Sequence, residues 1–321
     1  MARKPRIHTV GAIYHVILRG NARQDIFSDD KDRYRFYEIL QKSCERFLSR
    51  IHAFCLMTTH VHLEIQVGDI PLSRIMQNVS LRYTQWFNWR HKKTGHVFQG
   101  RYKAVMVDAD AYLLELAAYI HLNPVRAHIA DLPENHRWSS HQAYIGKESI
   151  SWLETNLILS RFSTNVRKAR VKFSKFVGER LAEGRREEFH GEKNIDSRII
   201  GDKMFVDVVL TEVESLPEQK PDVNAVVEAV KRLYVIPDER LRAQGREQVT
   251  SEARGLAAWA TLELSSGKLT ELAPLVGRDP STLTCAVRRI EKRREKDPLL
   301  ADKMERLRCY LLKSSCQVLT P

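Results

Sequence analysis

Ile51-His-Ala-Phe-Cys-Leu-Met57, Thr58-Thr59 and His60-Val61-His62-Leu63-Glu64-Ile65-Gln66-Val67 form the stretch on which the fold turns. Two runs rich in β-branched and aromatic residues flank a short polar break, so the spacing predicts two strands, Ile51–Met57 and Val61–Val67, joined around Thr58-Thr59-His60. Side chains alternate along a strand. His60, His62 and Glu64 therefore share one face, and Val61, Leu63 and Ile65 the other. One face can pack in a core while the other offers two imidazoles and a carboxylate to a divalent cation. A half-buried strand with ordinary polar residues outside fits the same pattern.

Outward from the pair, Ile13–Arg19 reads as a strand closed by Gly20-Asn21, and Asp30–Leu48 as an amphipathic helix. Leu72–His91 carries Ile75, Met76, Val79, Tyr83, Trp86 and Phe87 on one helical face. Gly95–Val107 is strand-like, and Asp110–Leu122 is a helix that Pro124 stops. The order β-α-β-β-α-β with an added helix is that of a ferredoxin-like split βαβ unit, an α+β fold. On the last helix, Tyr112, Glu115, Tyr119 and Asn123 fall within roughly 80° of arc and form a polar stripe. No strand of comparable clarity follows Trp152, and Asn165–Ala182 is a basic helical stretch.

The chain of 321 residues carries 52 Lys+Arg against 40 Asp+Glu, a formal charge of +12, which favours a polyanionic partner, nucleic acid or an anionic surface. No apolar run approaches the ~18 residues of a membrane span, and no apolar stretch follows the basic start that would serve as a secretion signal. The cysteines, Cys44, Cys55, Cys285, Cys309 and Cys316, contain no CxxC pair. Their odd number argues for reduced thiols inside a cell and against a structural zinc knuckle. Eleven of the twelve histidines precede residue 142, which assigns any histidine-based metal chemistry to the first half.

Ser215–Pro221 is the expected linker. Helices are expected at Val223–Tyr234, Ser251–Leu264, Leu269–Val276 and Pro280–Lys296, an all-α module. Between the last two, Gly277 suits a positive-φ turn, Asp279 an N-cap and Pro280 the first helical position. Leu283, Ala286, Val287 and Ile290 should face a core, leaving Ser281, Thr282, Thr284, Arg288 and Arg289 outside. That is a helix-turn-helix with a basic recognition helix suited to a major groove. The expected organisation is 1–150, a helical connection 151–220, and a duplex-binding module 221–321.

Tyr14-His15-Val16, Arg19-Gly20-Asn21, Phe27, His60-Val61-His62, Phe98-Gln99-Gly100-Arg101-Tyr102 and Tyr119-Ile-His-Leu-Asn123-Pro124-Val125-Arg126-Ala127 stand in order. Together they resemble the single-tyrosine HUH transposases of the IS200/IS605 type, and most of all the REP-associated tyrosine transposases, over about residues 7–145. The resemblance implies that Tyr119 attacks a scissile phosphorus of single-stranded, hairpin-associated DNA. The products would be a 5′-phosphotyrosine and a free 3′-hydroxyl. It implies a cation, Mg²⁺ or Mn²⁺, held by His60 and His62, with Asn123 as third ligand where many relatives have glutamine. Softness rules alone would also allow Zn²⁺, and Glu64 is an alternative ligand. Tyr112 is the decoy nucleophile; Tyr83 and Tyr102 are core or stacking residues. Arg19, Arg23, Arg101, Lys103 and Arg126 stand ready to neutralise phosphates, and Phe27, Phe98 and Tyr102 to stack on unpaired bases.

The run Val249–Ile290 resembles the DNA-binding domain of the bacterial replication initiator, a Trp-repressor-like fold. By that resemblance Arg254, Arg278, Asp279, Ser281 and Thr282 touch duplex DNA, although Pro280 replaces the initiator's histidine. Expectation is thus a cytoplasmic, nucleoid-associated bacterial strand-transfer enzyme, without a membrane partner and with a second copy of itself as a further one. The rival readings are a sequence-specific DNA-binding regulator with an inactive nuclease half and a zinc hydrolase, the latter leaving the basic second half unexplained.

Overall fold

The computed structural model describes residues 7–215, 221–245, 247–294 and 297–311. The chain divides into two compact units, Met1–Val213 and Glu214–Pro321. Residues 216–220, the middle of the expected linker, lie outside the described residues, as does Cys316.

The first unit runs β1 (Ile13–Arg19), α1 (Asp30–Phe47), β2 (Arg50–Met57), β3 (His60–Gln66), α2 (Leu72–His91), β4 (Lys103–Val107) and α3 (Ala109–His121). Asp29 caps α1 by accepting from the Asp32 amide, and Phe36, Ile39, Leu40 and Phe47 bury its inner face. The strands lie in the order β2-β3-β1-β4, every neighbouring pair antiparallel. This is the pairing expected of β-α-β-β-α-β. The strand-like stretch from Gly95 shrinks to five residues, because Gly95 (φ 92) and Gly100 (φ 62) turn the chain and leave only a single bridge from Phe98 to Gly20.

Val61, Leu63 and Ile65 lie in the core as the alternation requires. The opposite face is not open to solvent: His62 is 3% and Glu64 0% exposed. α3 packs across β2 and β3, and residues beyond 123 complete the cover. The stretch 151–213, read as a connection, belongs to this unit. Leu153, Ile158, Phe173, Phe189 and Ile199 enter the same core, and a fifth strand, β5 (Ile199–Ile200), pairs parallel to the edge of β4. Two residues are too few for a period-2 pattern to reveal. The basic stretch forms the helix Val166–Gly178, capped by the Asn165 side chain, with Ala169, Phe173 and Val177 inward and its cations outward.

Described residues of the second unit form helices and no strand: Val223–Tyr234, Asp238–Arg242, Gln248–Leu264, Leu269–Val276, Pro280–Arg294 and Pro298–Leu311. Val226, Val230, Leu256, Trp259, Leu272, Leu283 and Leu307 make its core. Gly277 takes φ +60 at the end of Leu269–Val276, where a Cβ would lie 2.6 Å from the Arg242 carbonyl oxygen. Leu283, Val287 and Ile290 are buried, Ala286 half-buried, and Ser281, Thr282, Thr284, Arg288 and Arg289 exposed.

Candidate active site

Register places His60 opposite Arg19, His62 opposite Ile17 and Glu64 opposite His15. The His60 and His62 rings lie 5.0 Å apart, and His15 stacks on His62 at 5.1 Å. His15 Nδ1 lies 2.8 Å from the Phe189 carbonyl oxygen, and His15 Nε2 2.9 Å from His62 Nδ1. A carbonyl only accepts, so His15 Nδ1 carries the proton. Burial lowers the pKa of His15 to about 3, so its ring is neutral and Nε2 must accept. His62 therefore donates from Nδ1 and keeps its lone pair on Nε2. This tautomer is inferred from the bonding pattern, and it is the form in which a histidine ligates a metal while a neighbour fixes its other nitrogen. Burial lowers His60 to about 4 and His62 well below its ordinary value, so neither need shed a proton to coordinate a cation.

Tyr119 stands in the last turn of α3, its ring 6.5 Å from that of His62 and 6.1 Å from that of His15. The expected polar stripe is not solvated. Tyr119 is 5% exposed, with the Phe189 ring at 5.0 Å and its hydroxyl 2.8 Å from His190 Nε2. Glu115, one turn earlier, is taken up by Arg180 at 2.6 Å and Arg186 at 2.8 Å. Burial raises the Tyr119 phenol pKa, and the cations of Arg126, Arg185 and Arg186 pull it back. Tyr112 is half-buried and reaches Phe189 at 6.4 Å, with no ring contact to the paired histidines.

Asn123 donates from Nδ2 to the carbonyls of Tyr119 and Ile120, both at 3.2 Å, capping open carbonyls of the helix end. Its Oδ1, the acceptor atom of the amide, is the one that could face a cation. Glu64 behaves otherwise: both its oxygens are buried without a hydrogen-bond partner, and burial raises its pKa well above the usual carboxylate range. Among the described residues no three His, Cys, Asp or Glu side chains gather as a metal-holding group. Glu64 therefore does not complete a set with His60 and His62. Two neutral imidazoles, one with an assigned free nitrogen, fit a divalent cation.

The expected phosphate and base contacts sort unequally. Arg19, Arg23 and Arg101 are exposed, and Lys103 is exposed with Glu192 3.8 Å away. Arg126 is instead half-buried, its guanidinium 3.9 Å from the centre of the Tyr119 ring and bonded to the Tyr119 carbonyl. Phe27, Phe98 and Tyr102 are core residues, at most 9% exposed, and Tyr83 is fully buried; none is a stacking platform. In the second unit Arg254 is 4% exposed and donates to the carbonyls of Leu241, Ala243, Gly245 and Arg240, so it holds a loop rather than DNA. Arg278 also bonds Ala243 and Gly245. Asp279 accepts from the Thr282 amide and from the Ser281 and Thr282 hydroxyls, the cap its position called for. Arg288 and Arg289 remain exposed.

Residues 8–123 match the family described as "Transposase IS200 like". The first unit carries an IS200-like transposase domain. That match supports a transposase-like function for this unit. A solved structure, that of a REP-associated tyrosine transposase bound to a REP hairpin, is similar at 15% identity and a TM-score of 0.40. The likeness covers 48% of this chain and 98% of that one. No curated protein matches the chain. No helix among the described residues is long and apolar enough to cross a membrane. The match to the transposase domain ends at Asn123, so Phe189 and His190 stand outside it. The sequence held one trace of them: His190 is the single histidine beyond residue 141, the one that made the distribution look lopsided.

Proposed function

We propose that the chain cuts and rejoins single-stranded, hairpin-associated DNA through a 5′-phosphotyrosine on Tyr119. His60 and His62 would hold Mg²⁺ or Mn²⁺, with Asn123 Oδ1 as a third ligand. The observation that carries the reading is Tyr119 lying against His62, whose Nε2 lone pair is left free by the His15–Phe189 chain of hydrogen bonds. When bound, the cation polarises a non-bridging phosphate oxygen and relieves charge in the transition state. The residues supply the rest. Tyr119 is the nucleophile, and Arg126 over its ring favours the phenolate. Exposed Arg19, Arg23, Arg101 and Lys103 neutralise the strand's phosphates. The covalent link conserves the phosphodiester energy for a later 3′-hydroxyl, which suits transfer as well as cleavage. Tyr119 and His62 face each other within one chain, which supports a nucleophile that acts in cis. The helix-turn-helix of the second unit, with Arg288 and Arg289 outward, binds duplex DNA and tethers the nuclease near a target or control site.

The test uses end-labelled hairpin DNA with a single-stranded flank, Mg²⁺ or Mn²⁺, and a denaturing gel. A covalent adduct that Tyr119→Phe abolishes is the expected result. An adduct that survives this change and disappears with Tyr112→Phe would move the nucleophile. Specific binding without adduct or cut product would leave the regulator.

A further inference from the structure

We propose that His190 is the proton acceptor for Tyr119: its Nε2 takes the phenolic proton as the nucleophile attacks and returns it when the phosphotyrosine is resolved. The assignment rests on the strand-transfer reading above and adds a residue outside the transposase-domain match.

Geometry carries the argument. The Tyr119 hydroxyl and His190 Nε2 are 2.8 Å apart, within the reach a general base needs. Among the described residues His190 is the imidazole that the hydroxyl meets: His15 and His62 are paired through Nε2 and Nδ1, and His60 and the remaining Nε2 of His62 are the proposed cation ligands. The nearby carboxylate of Glu188 is held by Arg186 at 2.7 Å. His190 does not arrive on a loose loop. Phe189 beside it is fully buried and its carbonyl receives the His15 proton. Asn194 donates to the carbonyls of Glu188 at 3.1 Å and Ile199 at 2.9 Å, tying the turn to β5 and through it to the sheet. Directly after His190 the chain reverses at Gly191 (φ +65), where a Cβ would sit 2.1 Å from the Ser197 carbonyl oxygen. Only glycine permits that reversal.

A phenol in this buried setting does not ionise on its own at neutral pH, so attack requires an acceptor in contact with the oxygen. In the cleavage step the Tyr119 O–H bond breaks toward His190 Nε2, and the oxygen's electron pair forms the bond to phosphorus. The P–O3′ pair leaves with the 3′ oxygen, which takes a proton from solvent water. In rejoining, a 3′-hydroxyl gives its proton to solvent and bonds phosphorus. The P–O pair then returns to Tyr119, and the imidazolium restores the phenolic proton. Arg126 and Arg186 stand where the transient phenolate charge develops.

The experiment compares full-length wild type, His190→Ala and His190→Gln in single-turnover adduct formation from pH 6 to 9. Mn²⁺ affinity by calorimetry and thermal unfolding are measured alongside. Glutamine keeps a hydrogen bond to the hydroxyl and cannot accept its proton. We expect both variants to lose on the order of 10²-fold in rate, with metal affinity unchanged. Added imidazole should restore His190→Ala and not His190→Gln, and the rate of His190→Ala should climb with pH as hydroxide replaces the lost base. A glutamine variant at the wild-type rate reduces His190 to a positioning residue and overturns the proposal. So does an alanine variant with an undiminished rate and an unaltered pH profile. If wild type itself forms no adduct, the strand-transfer reading falls and takes this assignment with it.

Discussion

The two units place their polar groups in opposite ways. In the first, the side chains with chemistry are inside: His15, His62 and Tyr119 are each at most 5% exposed and, with His190, bond to one another or to the backbone. In the second, the interior of the described residues is aliphatic apart from Trp259, Met304, Cys309, a few hydroxyls and Arg254, and the other basic groups stand at or near the surface. The difference suits the tasks proposed for the two units. Activating a nucleophile and holding a cation need fixed dipoles in a dry setting, where each electrostatic contact is stronger. Neutralising a duplex backbone needs exposed cations that exchange with counterions.

Acid should separate the units most strongly. Burial lowers His15 to about 3 and His60, His141 and His190 to about 4, against an ordinary value of 6.5. Between 6.5 and about 4 the unfolded first unit binds more protons than the folded one, so its stability falls as pH falls through that window. The second unit has no histidine. Its depressed carboxylates, such as Asp238 and Asp297, hold until the ordinary carboxylate range is passed. Peptide-resolved hydrogen exchange at pH 7.5 and 5 should show protection lost in the first unit and kept in the second. Equal loss in both would erase the contrast.

Next in size is Phe189→Ala. The ring is fully buried between Tyr119, His15 and Tyr112, and truncating a buried phenylalanine costs about 3–5 kcal/mol. Denaturant unfolding of the first unit should register that loss. A cost below 1 kcal/mol would mean that residues beyond 150 only drape over the domain, as a connecting segment would. His15→Ala tests the interior more finely. Removing the group that fixes His62 should weaken Mn²⁺ binding by about 10–100-fold, measured by calorimetry. Unchanged affinity would break the hydrogen-bond chain as an account of the His62 tautomer.

What could be read from the sequence divides along the same line. β1, α2 and the helices Val223–Tyr234 and Leu269–Val276 have the bounds that periodicity assigned, because their apolar faces are continuous and their ends marked by Gly, Pro or a cap. The paired histidines and Tyr119 were legible because strand alternation and a run of motifs placed them together. Their partners were not. Phe189 and His190 follow Arg185-Arg186-Glu187-Glu188, a charged stretch with no periodicity, and reach the site through a two-residue strand. The burial of ambivalent side chains is not written in the sequence. Phe27, Phe98, Tyr102, Arg126 and Arg254 can each serve a surface or an interior, and only the elements packed over them decide which.

Arg254 and Arg288 bring that ambiguity to its smallest scale, two arginines of one unit with opposite addresses. Arg254 serves four backbone carbonyls of residues 240–245, so Arg254→Ala takes this donor from the Leu241 and Arg240 carbonyls, while Arg278 still reaches those of Ala243 and Gly245. The change should lower the second unit's stability by on the order of 1–3 kcal/mol. Arg288 is exposed on Pro280–Arg294. Arg288→Ala should leave unfolding within about 0.5 kcal/mol of wild type. It should instead weaken duplex binding and reduce the slope of log affinity against log salt by about 1. Anisotropy titrations over a salt series, paired with denaturant melts, read both quantities from the same proteins. If Arg254→Ala shifts the salt slope without touching stability, the guanidinium leaves its carbonyls for a phosphate. The one cation buried among the second unit's described residues would then belong to its binding surface after all.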